Sequence, residues 1–369
     1  MKKVKRFVKK NVVFCVALLA AAVTRFLVPP DAAYADYFDW KTLSCLFLTL
    51  AVVCALRNIK FFTILARKLV LLSGGLRALF LVLVLITFVG SMLIANDMAL
   101  ITFLPLGYFA LSVAKEEKYM AYLFILQNIS ANLGGMLTPF GNPQNLYLYS
   151  YFHIPTGEFC AIMLPPFLLA VSLLALACLL VPRKKLEIRE SFTEKLNVRR
   201  TVLYLALFAM SLLIVFRVIP VWVGLCIVPV VVMAVDFNAL RAVDYGLLGT
   251  FFCFFVFSGN LARIDAVNDF FSALLQRDTL LVSIASCQAI SNVPTAILFS
   301  RFTTDYRPLL LGVNIGGTGT LIASLASLIT FSEFRILYPE KGRTYLGLFT
   351  LINVIFLVIM TVAAKLFFL

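Results

Sequence analysis

The chain has 369 residues, 62% of them hydrophobic and only 14% charged, with a net charge of +14. Such a composition excludes a soluble globular domain and places the chain among membrane proteins. The positive balance does not outline a nucleic-acid-binding surface, because its residues gather beside apolar runs: in Lys2, Lys3, Lys5, Arg6, Lys9 and Lys10, from Arg57 to Arg77, and from Arg183 to Arg200. Basic loops of that kind mark the cytoplasmic side and contact anionic membrane lipids.

A helix of about 20 residues crosses the hydrocarbon core. Apolar runs of this order lie near 11–29, 41–56, 76–94, 98–113, 119–131, 158–181, 201–217, 219–235, 243–259, 279–299, 308–332 and 345–367. The start imitates a secretory signal, with a basic tail, the run Val12 to Val23 and a small-residue site at Ala33-Tyr34-Ala35. The intervening segment Arg25 to Asp31 is longer than a cleavage signal allows, so the run is expected to stay as the first helix. With the tail inside, this helix exits before Pro29 and the acidic stretch Asp31 to Asp39 lies outside. The second helix returns to a basic segment, Arg57 to Lys68, along the inner surface.

Two arms, 76–94 and 98–113, then flank Asn96-Asp97. Two full crossings put that tip on the outer surface; a re-entrant hairpin holds it at mid-depth, and the parity is the same. Lys115-Glu116-Glu117-Lys118 fits the inside, 119–152 crosses outward, and 158–181 returns to Arg183-Lys184-Lys185. Helices 201–217, 219–235 and 243–259 cross out, in and out, and the amphipathic stretch Leu261 to Leu275 lies on the outer surface. Arms 279–290 and 293–304 flank Ser291-Asn292, with their charged bases outside. Helix 308–332 crosses inward, interrupted at Asn314 to Thr320, and the last helix exits. The expected fold is an all-α polytopic membrane protein of about nine transmembrane helices, two re-entrant hairpins and two broken helices. Residues 1–182 form a first inverted repeat, 183–200 a cytoplasmic loop, and 201–369 an extra helix (201–217) followed by the second repeat. The N-terminus lies in the cytoplasm and the C-terminus outside the plasma membrane.

Polar and helix-breaking residues are costly in hydrocarbon unless they line a cavity or pathway. The break from Asn132 to Asn145 holds Gly134, Gly135, Pro139, Gly141 and Pro143, so it cannot continue as an α-helix. Freed carbonyls and half-helix ends there can hold Na⁺ or an anion, with Asn132, Thr138, Asn142, Gln144 and Asn145 adding donors and acceptors. A kinked helix whose polar groups satisfy one another is the plainer alternative. The second break, with Asn314, Thr318 and Thr320, can equally serve close helix packing through its glycines. Asp97 is the one carboxylate that the threading puts near the midplane, where a proton or Na⁺ would have to neutralise it. Its alternative is a water-exposed loop tip.

The eight cysteines stand singly in apolar runs and read as small buried hydrophobes. His153, the only histidine, falls in an outer loop, and Arg301 can snorkel from an arm end. Neither HExxH, GxSxG nor paired aspartates occur, which argues against an intramembrane enzyme. A passive channel is the remaining alternative to a carrier.

Ala95-Asn96-Asp97, Asn132-Leu133-Gly134-Gly135 through Gly141-Asn142-Pro143-Gln144-Asn145, Ser291-Asn292-Val293-Pro294-Thr295 and Asn314-Ile315-Gly316-Gly317 together resemble the ion transporter superfamily. That group includes citrate and dicarboxylate carriers, arsenite permeases and some sodium/proton antiporters. The resemblance implies a secondary transporter that moves a small anionic solute by elevator-type alternating access, coupled to Na⁺ or H⁺, with no other cofactor and commonly as a homodimer. Solute and ion would be held by Asn96, Asp97, Asn132, Thr138, Asn142, Asn145, Ser291, Asn292, Thr295, Asn314, Thr318 and Thr320, with Na⁺ near Asn96, Asp97 and Asn292. Arsenite efflux and Na⁺/H⁺ exchange are the alternatives. The dicarboxylate carriers typically bear Ser-Asn-Thr at both tips, whereas Asp97 and Val293 stand where the threonines would be. A tip aspartate looks more like the arsenite or cation-exchanging branches.

Overall fold

The computed structural model describes residues 12–71, 73–186 and 196–369. The basic tail through residue 11 and the stretch 187–195 of the expected cytoplasmic loop lie outside the described residues. The first half consists of α1 (Val12–Leu27), α2 (Trp40–Asn58), α3 (Phe61–Leu71), α4 (Leu76–Ile94), α5 (Asn96–Val113), α6 (Met120–Gly134), α7 (Pro143–Tyr151) and α8 (Thr156–Leu179). Then come α9 (Val198–Val215), α10 (Val221–Arg241), α11 (Tyr245–Ala262), α12 (Asp265–Ile290), α13 (Asn292–Phe299), α14 (Tyr306–Ile315), α15 (Leu325–Leu337) and α16 (Gly342–Ala363). Among the described residues, eight helical segments are long and apolar enough to cross a membrane: α2, α4, α5, α8, α9, α10, α11 and Pro339–Phe368. α1 is a shorter apolar helix. The chain is a polytopic helical membrane protein.

Helix ends sort onto two polar faces. On one, Arg263 after α11 clamps Asp31 before α2 through both carboxylate oxygens, at 2.9 and 2.6 Å. Arg301 after α13 donates to the Tyr37 carbonyl at 2.6 Å, and Arg217 after α9 to the Tyr149 carbonyl of α7 at 2.7 Å. On the other face Asn58 meets Asp236 of α10, the backbone at Gly75 pairs with Lys185, and Glu116 bridges Lys184 and Lys118. α2 and α11 therefore run in opposite directions, each opened by an aspartate cap: Asp39 accepts from Thr42 N and Asp244 from Leu247 N.

The first hairpin, α4 and α5, has its base on the Glu116 face, whereas the second has its base on the Arg301 face. The second begins inside α12, where Asp278 leaves helical geometry (φ −166°, ψ 87°) and its carboxylate accepts from Leu281 N. That bend separates the amphipathic limb from the hairpin arm. Length alone would let α4 and α5 cross fully, but their tip stops beside the break between α6 and α7, and α7 continues beyond it.

The two tips and the two breaks correspond at several positions. Ala95 (φ 63°, ψ 152°) and Ser291 (φ 75°, ψ 158°) bend the two tips in the same unusual conformation. Each is followed by an asparagine whose side-chain oxygen accepts from the next backbone N–H, at 2.9 Å in both. Thr138 donates to the Met92 carbonyl at 2.8 Å, and Thr320 to the Gln288 carbonyl at 3.1 Å. Gly134 lies against the Phe88 carbonyl and Ser91, and Gly316 against Cys287, leaving no room for a Cβ at either position. Gly319, at φ +116°, is the one described glycine with a backbone that a side chain would strain.

Some boundaries differ from the sequence expectations. α5 begins at Asn96 rather than 98, because the Asn96 side chain folds back on its own first turn. The second arm ends at Phe299, short of 304, and the following turn carries Arg301 to the Tyr37 carbonyl. The second break runs on to Ser324, whose side chain caps α15. α6 and α14 are almost wholly buried at the centre of the bundle.

Candidate functional site

The two bent tips, the start of α7 after the first break and the start of α15 after the second converge on one cavity of about 350 Å³. Asn96 and Asp97 enter from the first tip and Ser291, Asn292, Val293 and Pro294 from the second. Gln144 adds the start of α7, Asp244 and Thr250 the start of α11, and Leu325 to Ser332 the length of α15. Besides α1, whose described residues begin on the cavity wall, five helices begin at this space: α5, α7, α11, α13 and α15. Helix N-termini carry partial positive charge, so their convergence makes an anion-favouring field, with one first-turn N–H already taken by Asn96 in α5, Asn292 in α13, Asp244 in α11 and Ser324 in α15. The side chains add negative charge: Asp97 and Asp244 line the cavity, and no lysine or arginine does among the described residues. Val12 to Phe14 at the start of α1 and Ser332 near the end of α15 complete the wall, so the cavity opens toward the Glu116 face.

Behind the lining lies a network of amides. Asn96 donates to Asn132 at 3.2 Å, and Asn142 donates to the Asn132 carbonyl at 3.2 Å. Asn314 of the second break donates to Asn145 of α7 at 2.6 Å, tying the two breaks together. Asn145 in turn donates to carbonyls in the first break, at Gly135 and Met136. Freed carbonyls that would be costly in an apolar surrounding are paired this way. Asn128 links α6 to Ser327 and Thr330 of α15.

Of the residues singled out from the sequence, Asn96, Asp97, Ser291 and Asn292 line the cavity, together with Gln144. Asn132, Asn142, Asn145 and Asn314 form the network behind it. Thr138 and Thr320 fasten the breaks to the hairpin arms. Thr295 donates to the Ser291 carbonyl and Thr318 to the Ile315 carbonyl, so both hold local backbone. His153 is exposed.

Two positions, one bracing a break and one lining the cavity, escape the sequence reading. Gln288, in the arm of the second hairpin, donates to the Gly316 and Thr318 carbonyls and accepts from Thr320 N, at 2.9 to 3.1 Å. Its place three residues before the tip, an amide in an otherwise apolar arm, is the available signal. Asp244 is the second. It stands at the start of the expected crossing 243–259 with no motif around it, and the structure puts it in the cavity lining with Asp97. Its match with Asp39 as a helix cap points to structure, and only the tertiary packing brings it to the cavity that Asp97 lines.

A polytopic bundle with paired hairpin tips and broken helices around a central cavity defines the class of membrane transporters. The chain matches the sequence model of the citrate transporter family (CitMHS) over residues 4–305, and it belongs to that family. It is 32% identical over 341 residues to the uncharacterized transporter MJ0456 of Methanocaldococcus jannaschii, covering 89% of this chain and 90% of that one. It is 28% identical over 324 residues to the inner membrane protein YbiR of Escherichia coli, covering 86% of each. A shorter match, 34% over 168 residues, joins 44% of this chain to 34% of the silicon efflux transporter LSI3 of Oryza sativa. The protein is a membrane transporter of the citrate and anion type, not an enzyme.

Proposed function

We propose that the protein is a secondary active transporter of the plasma membrane that carries a small anionic solute in the cavity between the two tips, coupled to Na⁺ or H⁺. The observation that carries this reading is the convergence of five helix N-termini on one cavity that also holds Asp97 and Asp244. Helix ends supply the attraction for an anion, and the carboxylates supply a place for the accompanying cation. Basic residues from Arg57 to Lys68, Lys115, Lys118 and Arg183 to Lys185 fall on the Glu116 side, which supports that face as cytoplasmic and the cavity as inward-open. Each hairpin packs on its own broken helix, while α1 packs on α11 and α2 on α10. Such a division supports an elevator movement of the hairpin body against the remaining helices.

A second reading is favoured by the lack of lysine and arginine at the described lining. A carrier of uncharged oxyacids, such as arsenous or silicic acid leaving the cell, needs no basic side chain. Na⁺/H⁺ exchange would rest on the carboxylates alone.

A thermal-shift screen of the purified protein separates these readings, since a ligand that binds only the native state raises its apparent stability. Citrate or a dicarboxylate raising the midpoint only when Na⁺ or acid is supplied is the expected result. Stabilisation by arsenous or silicic acid, or by Na⁺ alone, with no response to organic anions, would sink the anion reading.

A further inference from the structure

We propose that Asp244 and Asp97 form one cation-binding site, with the two carboxylates contributed by opposite sides of the moving boundary. The inference deepens the coupling role given to Asp97 above and rests on it.

Asp97 sits in the first turn of α5, in the hairpin that packs on α6. Asp244 caps α11, which packs most extensively on α1. Both line the same cavity, and neither has an ion-pair partner among the described residues. Two carboxylates that line one partly buried cavity repel each other, and a cation held between them would remove the repulsion. Independent observations point to a ligand. Asp97 Oδ1 is buried without a hydrogen-bond partner, and so is Oε1 of Gln144, a cavity-lining residue only 1% exposed. An oxygen-only set of this kind suits a hard cation, and the coupling role given to Asp97 narrows it to a proton or Na⁺. Around the site, the neighbouring charge on α2 is Arg57, whose guanidinium is directed at the Met98 sulfur at 3.2 Å. α3 carries Arg67 and Lys68, α4 carries Arg77, α15 carries Glu333 and Arg335, and α1 carries Arg25; none of them lines the cavity.

The capping duty of Asp244 does not account for its charge. Asn and Ser cap a helix about as well as Asp. Asp244→Asn and Asp244→Ser thus keep the start of α11 while removing the carboxylate, so a merely structural Asp244 and a ligand Asp244 give different results. The geometry also ties occupancy to conformation: displacement of the hairpin body takes Asp97 away from Asp244 and divides the site.

The test uses the full-length purified protein with two probes. Na⁺ is titrated against choline at constant ionic strength and pH 8, and protons are titrated in choline medium from pH 8 to pH 5.5. The thermal midpoint is read for wild type, D97N, D244N, D244S and D97N/D244N. The expected result is a cation-dependent rise in wild type, whose half-point moves by at least about tenfold in every single variant, with the double variant no worse than either single one. The arm that responds identifies the cation. A wild-type-like response in D244N and D244S, with loss in D97N, overturns the pair and leaves the reading of Asp97 standing. A wild-type-like response in all variants, or no response in wild type to either probe, overturns both.

Discussion

Ala95 and Ser291 place ordinary residues in backbone that glycine would adopt more cheaply, at a cost of about 1–3 kcal/mol each. Glycine at position 95 relieves that strain but adds freedom to the unfolded chain, worth about 0.5–1 kcal/mol. Ala95→Gly is therefore expected to be neutral or stabilising by about 1 kcal/mol, read as an unchanged or higher thermal midpoint, with transport reduced if tip rigidity orders the site. The reverse holds at Gly134. A Cβ there would sit 2.2 Å from the Phe88 carbonyl, which is backbone and cannot swing aside. Gly134→Ala should destabilise by about 1–3 kcal/mol, and a wild-type midpoint would refute the packing argument. Asp97→Asn is expected to abolish ion-coupled uptake while leaving insertion and monodispersity intact; coupled uptake at the wild-type rate would remove Asp97 from the mechanism.

Whole elements are held by a few polar ties. Gln288 supports the second break through three hydrogen bonds to its backbone. Replacement by leucine leaves those groups without a partner, so Gln288→Leu should cost about 2–4 kcal/mol and loosen α15 more than α7, measured by hydrogen exchange. At the base of the first hairpin, Lys184 and Lys118 flank the covered Glu116 carboxylate. The Lys184 hydrogen bond holds its titration below the ordinary glutamate range. A carboxylate lowered in the folded state stabilises above its ordinary value, and that contribution is lost as pH falls through the lowered one. The midpoint difference between wild type and Glu116→Gln should accordingly be present at neutral pH and vanish on acidification. A difference independent of pH would show that the pairing with Lys184 does not hold the hairpin base.

Taken as one molecule, the protein presents its cavity to the face where Glu116, Lys184 and Ser332 lie. Ser332→Cys in a background lacking the native cysteines should react with an impermeant maleimide in inside-out vesicles and not in right-side-out ones. Labelling from the outside would reverse the assigned topology. The sequence by itself determined the membrane class, the positions of the helices, both tips and both breaks. Those properties are local: apolar length sets a crossing, while proline, glycine and asparagine in the wrong medium announce an interruption. Only the tertiary structure decided which polar residues meet. It sent Asn314 to Asn145 across the two breaks and Gln288 into its own break, and it brought Asp244 to the cavity that Asp97 lines. A cap residue reads the same in sequence whether it faces water or lines a cavity, because the difference lies in how distant helices pack and not in the neighbouring residues.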